Sequence, residues 1–365
     1  MKKRITAALL GLLITGMTVC AAEKNDTVNL AGLKPGIVSD TDAERENESV
    51  SETETRKEAV GETDASLEDH PEPAPAITGL QSENTESYAD EADFVPDSID
   101  EKNEALQELY KEYLETNELT GQKWSLSIEN LQTGEITSWN ENRLMQSASV
   151  IKVFIMGAIY DRVCYPSSEE KKISYQESYD GELKDLLQQM ITVSSNEAAN
   201  SCILILGNGN KEQGFAVLNA FCQENGYTHT SAGRLFLESN PSGDNYTTAA
   251  DCRKILADIY EGKCVNEEAS AKMLEILKGQ TVRYKIPAGL PSGYSSANKT
   301  GEMPEGYGLG CIENDIAIVF SPKGDYVLSV LSNDLGGSNS EADETITKIS
   351  SYVADHQEEI FEEVK

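Results

Sequence analysis

Ala148-Ser149-Val150-Ile151-Lys152-Val153-Phe154-Ile155-Met156-Gly157-Ala158-Ile159 sets a serine three residues before a lysine at the head of an apolar run. The run predicts a helix over Ser149–Val163 whose burial holds its first turn in place. Side chains at i and i+3 are neighbours on a helix, so the Ser149 hydroxyl and the Lys152 amine share one face. A serine at a helix start also meets free N–H groups and the positive end of the helix dipole. Ser-x-x-Lys alone carries little information, because Ser168 with Lys171 and Ser296 with Lys299 repeat it. The order carries more: Ser194-Ser195-Asn196 and then Lys299-Thr300-Gly301 follow. A nucleophilic hydroxyl, amines to take its proton and a second hydroxyl to pass one on are the ingredients of serine acyl transfer without histidine. The three histidines, His70, His229 and His356, come with no Gly-x-Ser-x-Gly, so a Ser-His-Asp triad is not expected. Gly207-Asn208-Gly209-Asn210-Lys211 lacks the spacing of a phosphate loop and reads as a helix stop and turn.

The three motifs in this order resemble those of the class A β-lactamases and penicillin-binding serine peptidases, Ser-x-x-Lys, Ser-Asp-Asn and Lys-Thr-Gly. The resemblance extends over residues 100–365. Ser195-Asn196-Glu197-Ala198-Ala199-Asn200 is similar to the second motif with its trailing residues, Ala288-Gly289-Leu290-Pro291 precedes the third, and Asn314-Asp315-Ile316-Ala317-Ile318-Val319 opens a strand. The resemblance implies an α+β fold: a five-stranded antiparallel sheet flanked by terminal helices, packed on an all-helical lobe, with the site between them. It implies Ser149 as nucleophile, Lys152 as its base, Ser194 as proton relay and Asn196 as a ligand of the substrate's acyl-amide group. Lys299, Thr300 and Gly301 would then meet a substrate carboxylate, and the N–H groups of Ser149 and Glu302 would form the oxyanion hole. The substrate implied is a β-lactam or a peptidoglycan stem peptide, with no metal or organic cofactor.

Three residues depart from the family pattern. Ser195 stands where aspartate is usual. Glu302 follows Lys-Thr-Gly where a small or hydroxyl residue is typical, and the loop from Glu302 to Glu313 is long. Arg234-Leu235-Phe236-Leu237-Glu238-Ser239-Asn240 keeps the arginine and asparagine of the deacylation loop but puts Phe236 in place of the glutamate that activates water. A phenyl ring cannot be a base, and losing one typically costs about 10²- to 10⁴-fold. Deacylation is therefore expected to be slow unless Glu238 substitutes. The alternative from another class is a non-turnover module that binds cell wall or senses β-lactams.

Lys2, Lys3 and Arg4 precede an apolar run from Ile5 to Val19, too short for a comfortable membrane span and typical of an export signal over residues 1–22. Two readings stay open: lipoprotein processing with acylation of Cys20, or plain cleavage near Ala21 or Ala22. Either places the mature chain outside the cytoplasmic membrane. Residues 23–99 are rich in Glu, Asp, Ser, Thr and Pro and bury too little apolar surface to fold, so an acidic tether is expected. Residues 23–100 hold 22 acidic and 5 basic side chains, a net of −17 out of −33 for the chain. The acidity and the lack of a basic stripe exclude nucleic acid and anionic lipid surfaces as partners. A membrane partner enters only through a lipid at Cys20, and a monomer is expected.

Apart from Cys20 there are six cysteines, an even number whose fifteen pairings the sequence cannot resolve, with buried free thiols as the other reading. No Cys-x-x-Cys supports a zinc site. In the domain itself, periodicity predicts helices over Asp100–Glu118, Gly181–Val193, Asn196–Leu206, Gly214–Asn225, Thr248–Glu261, Glu267–Lys278 and Ser340–Glu362. A hairpin is expected over Lys123–Asn130 and Gly134–Asn140, and strands over Ile316–Ser321 and Tyr326–Ser332. Strands at both ends with helices between suggest one antiparallel sheet.

Overall fold

The computed structural model describes residues 103–175, 179–238, 244–304 and 311–361. The expected signal and tether, together with His70, Asn240 and the middle of the loop after Lys-Thr-Gly, lie outside them. Strands β1 (Lys123–Asn130), β2 (Ile136–Trp139), β5 (Ser295–Met303), β6 (Ile312–Phe320) and β7 (Tyr326–Asn333) form a five-stranded sheet in the order β2-β1-β7-β6-β5. All its pairs are antiparallel, and two-residue strands β3 (Met145–Gln146) and β4 (Tyr246–Thr247) pair separately. The first strand thus lies beside the last, with Leu126 opposite Val330.

Alternate residues along a strand point to opposite faces, and here both faces are covered. Val327 and Leu331 of β7 join Ile316 and Ile318 of β6 in the core shared with the helical lobe. Leu328 and Val330 join Ala317, Val319, Leu126 and Ile128 in the core beneath the terminal helices. That double burial explains why β6 and β7 read as nearly continuous apolar runs.

Capping residues set where the helices begin. Asn103 accepts from the N–H of Leu106, so the first helical segment starts at Glu104 rather than Asp100. Asn210 accepts from the N–H of Gln213, so the helix expected from Gly214 begins at Lys211. Ser195 caps helix Asn196–Leu206 through the N–H of Ala198, a role that serine fills as well as aspartate. Its departure from the family pattern therefore keeps the local structure. The closing helix runs Asn339–Asp355 and resumes at Gln357–Ile360 after a break at His356.

Cys164, Cys202, Cys222, Cys252, Cys264 and Cys311 are all free, and all but Cys164 are fully buried. Burial pushes the thiols of Cys202, Cys252 and Cys264 up to about 12, which suppresses the reactive thiolate. A peptide map under non-reducing conditions, after unfolding in a thiol-blocking reagent, is expected to find all six alkylated. A cross-linked peptide pair among them would contradict this arrangement.

Candidate functional site

Ser149 lies in a short 3₁₀ turn, Ala148–Ile151, that runs into helix Lys152–Ile159, every residue of which is buried. The turn is held from the sheet. Asn314 of β6, fully buried, donates its side-chain amide to the carbonyls of Gln146 (3.0 Å) and Ser147 (3.2 Å), and Asn333 of β7 accepts from the N–H of Gln146 at 2.7 Å. Ser147 donates its N–H to the carbonyl of Asn245 at 2.9 Å. These contacts keep Ala148 at φ +43°, a left-handed conformation that costs an L-residue on the order of 1–2 kcal/mol. Gly301 brings β5 against the same turn: a Cβ there would stand 2.8 Å from Ser147 O and 3.1 Å from Ser149 N. Only glycine lets the strand come this close.

The two lysines of the motifs meet on one hydroxyl. Lys152 Nζ donates to Ser194 O (2.7 Å), Ser194 Oγ (3.2 Å) and Asn196 Oδ1 (2.8 Å). Lys299 Nζ donates to the same Ser194 Oγ (2.9 Å) and to Thr300 O (2.7 Å). Both lysine side chains are fully buried. Burial lowers Lys152 to about 7, against a weaker opposing pull from Glu197. Burial first, and the neighbouring Lys152 second, hold Lys299 well below the ordinary lysine value. Ser194 itself sits at φ +58°, between helices Lys184–Thr192 and Asn196–Leu206. Non-glycine residues held in this region cluster at functional sites.

The loop carrying the third departure closes the other side. Asn200 clamps Phe236 at both ends of its backbone, accepting from its N–H (2.9 Å) and donating to its carbonyl (3.2 Å). This puts the phenyl ring 4.5 Å from Lys152 Nζ, a cation–π contact. Arg234 Nε donates to Asp244 Oδ1 at 2.5 Å, and Asp244 also accepts from Gln146 Nε2 at 2.9 Å, closing the loop onto the segment that leads to Ser149. Glu238 turns outward. Its carboxylate pairs with Lys211 Nζ at 2.8 Å, is exposed, and is held below its ordinary value chiefly by that lysine.

Ser149 opens onto a crevice lined by Ala148, Asn196, Arg234, Phe236, Leu237, Asp244, Asn245, Glu302, Met303 and Pro304. The Glu302 carboxylate accepts from Tyr284 Oη (2.7 Å) and Lys285 Nζ (3.3 Å). Burial alone would raise it, but Lys285 and Tyr284 together hold it low. The structure thus brings together Ser149, Lys152, Ser194, Asn196, Lys299, Thr300, Gly301 and Glu302, and does not bring Glu238 to the crevice. His229 and His356 are engaged elsewhere, His229 through its N–H on Asp251 and His356 stacked on Tyr352. Sequence reasoning missed Asn314, Asn333 and Asp244 as supports of the site. A buried amide in an otherwise apolar strand was the available signal for the first.

A model of the beta-lactamase enzyme family matches residues 103–357. The chain belongs to this family. Among solved structures, an ancestral class A β-lactamase is similar at TM-score 0.55 and 21% identity, over 68% of this chain and 99% of that one. The structure of PBP-A is similar at TM-score 0.55 and 24% identity, over 69% of this chain and 97% of that one. A leucine-to-glutamate variant of PBP-A, in an acyl-enzyme complex with penicillin-G, is similar at TM-score 0.54 and 22% identity, over 69% and 97% of the two chains. No curated protein matches the chain. As expected from the motifs, this family member has the β-lactamase-like serine hydrolase fold, with a five-stranded antiparallel sheet.

The geometry carries a pH dependence. Only neutral Lys152 can take a proton, and burial places its titration near 7. An acyl transfer at Ser149 that uses Lys152 as its base should therefore rise in rate with pH through about 7 and level off above it. Stopped-flow or quenched mass measurements from pH 5.5 to 9 check this, and a limb centred near the ordinary lysine value would contradict it.

Proposed function

We propose that Ser149 forms a covalent acyl-enzyme with a β-lactam or a peptidoglycan-type amide, and that hydrolysis of this ester is slow. The observation that carries the reading is the Ser194 hydroxyl shared by Lys152 and Lys299, with the Phe236 ring over the Lys152 amine and with Asn196, a partner of Lys152, lining the crevice together with Ser149. In the acylation step neutral Lys152 takes the Ser149 proton as Oγ adds to the carbonyl carbon. The N–H groups of Ser149 and Glu302 stabilise the oxyanion. As the C–N bond breaks, the proton returns to the leaving nitrogen through Ser194 Oγ, leaving a Ser149 ester. Asn196 supports the acyl-amide group, while Lys299 and Thr300 meet a carboxylate.

Deacylation needs a water and a base on the loop side. Phe236 offers neither a proton acceptor nor a polar surface there, and Glu238 is tied to Lys211. That PBP-A variant holds a penicillin-G acyl-enzyme on a similar fold, which supports the ester state for this chain. The same features support a second reading, a non-turnover module that binds cell wall or senses β-lactams, and wall binding alone would survive Ser149→Ala. We also propose that the domain works outside the cytoplasmic membrane, released or anchored by a lipid on Cys20, with residues 23–99 as spacer.

Intact-protein mass spectrometry after brief exposure to a penicillin tests the reaction. A lasting adduct is expected on the wild type and none on Ser149→Ala. Phe236→Glu should shorten the life of the adduct by about 10²-fold or more. Rapid ring opening by the wild type without an adduct would contradict slow deacylation, and intact drug with no adduct would remove β-lactams as acyl donors.

A further inference from the structure

Glu302 stands directly opposite Glu313 in the β5–β6 pair. Like charges at such positions destabilise a sheet, yet here a third carboxylate, Asp343 of helix Asn339–Asp355, converges on them. What holds the three together is Lys285. Its side chain is fully buried, and its Nζ lies 3.3 Å from Glu302 Oε1, 3.5 Å from Asp343 Oδ1 and in close contact with Glu313 Oε2. The lysine is itself anchored, since the next N–H, of Ile286, donates to Asp315 Oδ2 at 3.0 Å and Thr347 Oγ1 donates to the Lys285 carbonyl at 3.3 Å. One buried cation therefore joins β5, β6 and the C-terminal helix.

The end of β5 that it holds is the end that touches the nucleophile. Gly301 packs against Ser147 O and Ser149 N with no room for a Cβ, and Glu302 follows it into the crevice. Catalytic geometry tolerates little error, and a displacement of about 1 Å can cost on the order of 10²-fold. Glu302 is the most exposed of the three carboxylates, its side chain 39% accessible against 7% for Glu313 and 25% for Asp343. Tyr284 Oη also donates to Glu302, at 2.7 Å, but carries no charge to offset Glu313; without the cation Glu302 faces that carboxylate uncompensated and has the shortest route to water.

We propose that Lys285 is a positioning residue for acyl transfer: by binding Glu302 to Glu313 it fixes the Glu302 backbone, and with it the oxyanion hole, beside Ser149. The kinetic consequence rests on the acyl-enzyme reading above; the anchoring of β5 does not. A lysine that serves stability alone would change the melting temperature and leave the site as it is.

The test compares the wild type with Lys285→Met, and with Lys285→Met/Glu313→Gln, which replaces the buried pair by neutral groups and so keeps the fold within reach. Glu302→Gln is then added to the double variant. Acylation by a penicillin is timed by mass, and the ester carbonyl stretch of the accumulated acyl-enzyme is read by infrared difference spectroscopy. The double variant should acylate at least tenfold more slowly, with its carbonyl band shifted to higher wavenumber as the oxyanion hydrogen bonds weaken. Adding Glu302→Gln should restore both. A folded double variant with the wild-type rate and band overturns the proposal, as does a triple variant that recovers neither. If the wild type forms no ester, the acyl-enzyme reading fails instead. Amide exchange over residues 299–304 then decides the anchoring: it should be at least tenfold faster in the double variant, and equal exchange overturns it.

Discussion

One hydroxyl shared by two buried amines constrains this molecule more than any other contact. Ser194 Oγ is 3.2 Å from Lys152 Nζ and 2.9 Å from Lys299 Nζ, with both side chains out of contact with water. The two nitrogens can thus be at most about 6 Å apart, where two unit charges repel by about 3 kcal/mol at an effective dielectric constant near 20. Burial penalises each charge further. The pair cannot rest comfortably with both amines protonated, which is what makes one of them a candidate base in the proposed acyl transfer at Ser149. Burial first, and that electrostatic conflict second, set the protonation of the pair.

The fold exists, in this respect, to keep the conflict in place. A helix buried over all of Lys152–Ile159 denies Lys152 an escape to solvent. β5 does the same for Lys299, and Gly301 lets that strand press against the Ser149 turn. Asn314 and Asn333 reach from β6 and β7 to the backbone just before Ser149, so the left-handed turn at Ala148 is paid for by hydrogen bonds from the sheet. Phe236 completes the enclosure. Where a carboxylate would compensate Lys152, an aromatic face gives it a weaker partner and no proton acceptor.

The motifs were legible because each packs its chemistry into three or four consecutive residues, and helix or strand geometry then fixes their relative directions. Helices Asn196–Leu206 and Glu267–Lys278 were legible to the residue, since Ser195 and Asn266 cap them locally. β5 was not legible from periodicity, because its sequence, Ser-Ser-Ala-Asn-Lys-Thr-Gly-Glu-Met, spends its positions on the site and lacks alternating hydrophobicity. Phe236 could be recognised as a departure from its spacing to Arg234, but its ring over Lys152 depends on the clamp from Asn200, 36 residues away. Glu302 looked like an obstacle to a carboxylate-bearing substrate. Its compensation comes from Lys285, 17 residues earlier on another segment, which no local pattern could announce. The thiols were undecidable for the same reason: pairing is a property of distance in the fold, and the fold leaves all six free.

Carbon-13 NMR of the protein labelled at lysine Cε, with Lys152→Arg and Lys299→Arg variants to assign the two signals, reads the protonation of both amines directly. Lys152 is predicted to titrate near 7, and Lys299 well below the ordinary lysine value of 10.5, with the Lys299 signal moving when Lys152 is substituted. Two signals titrating independently above 10 would mean that both amines stay charged in the resting site, and the account of Ser194 as a hydroxyl shared between competing bases would fail.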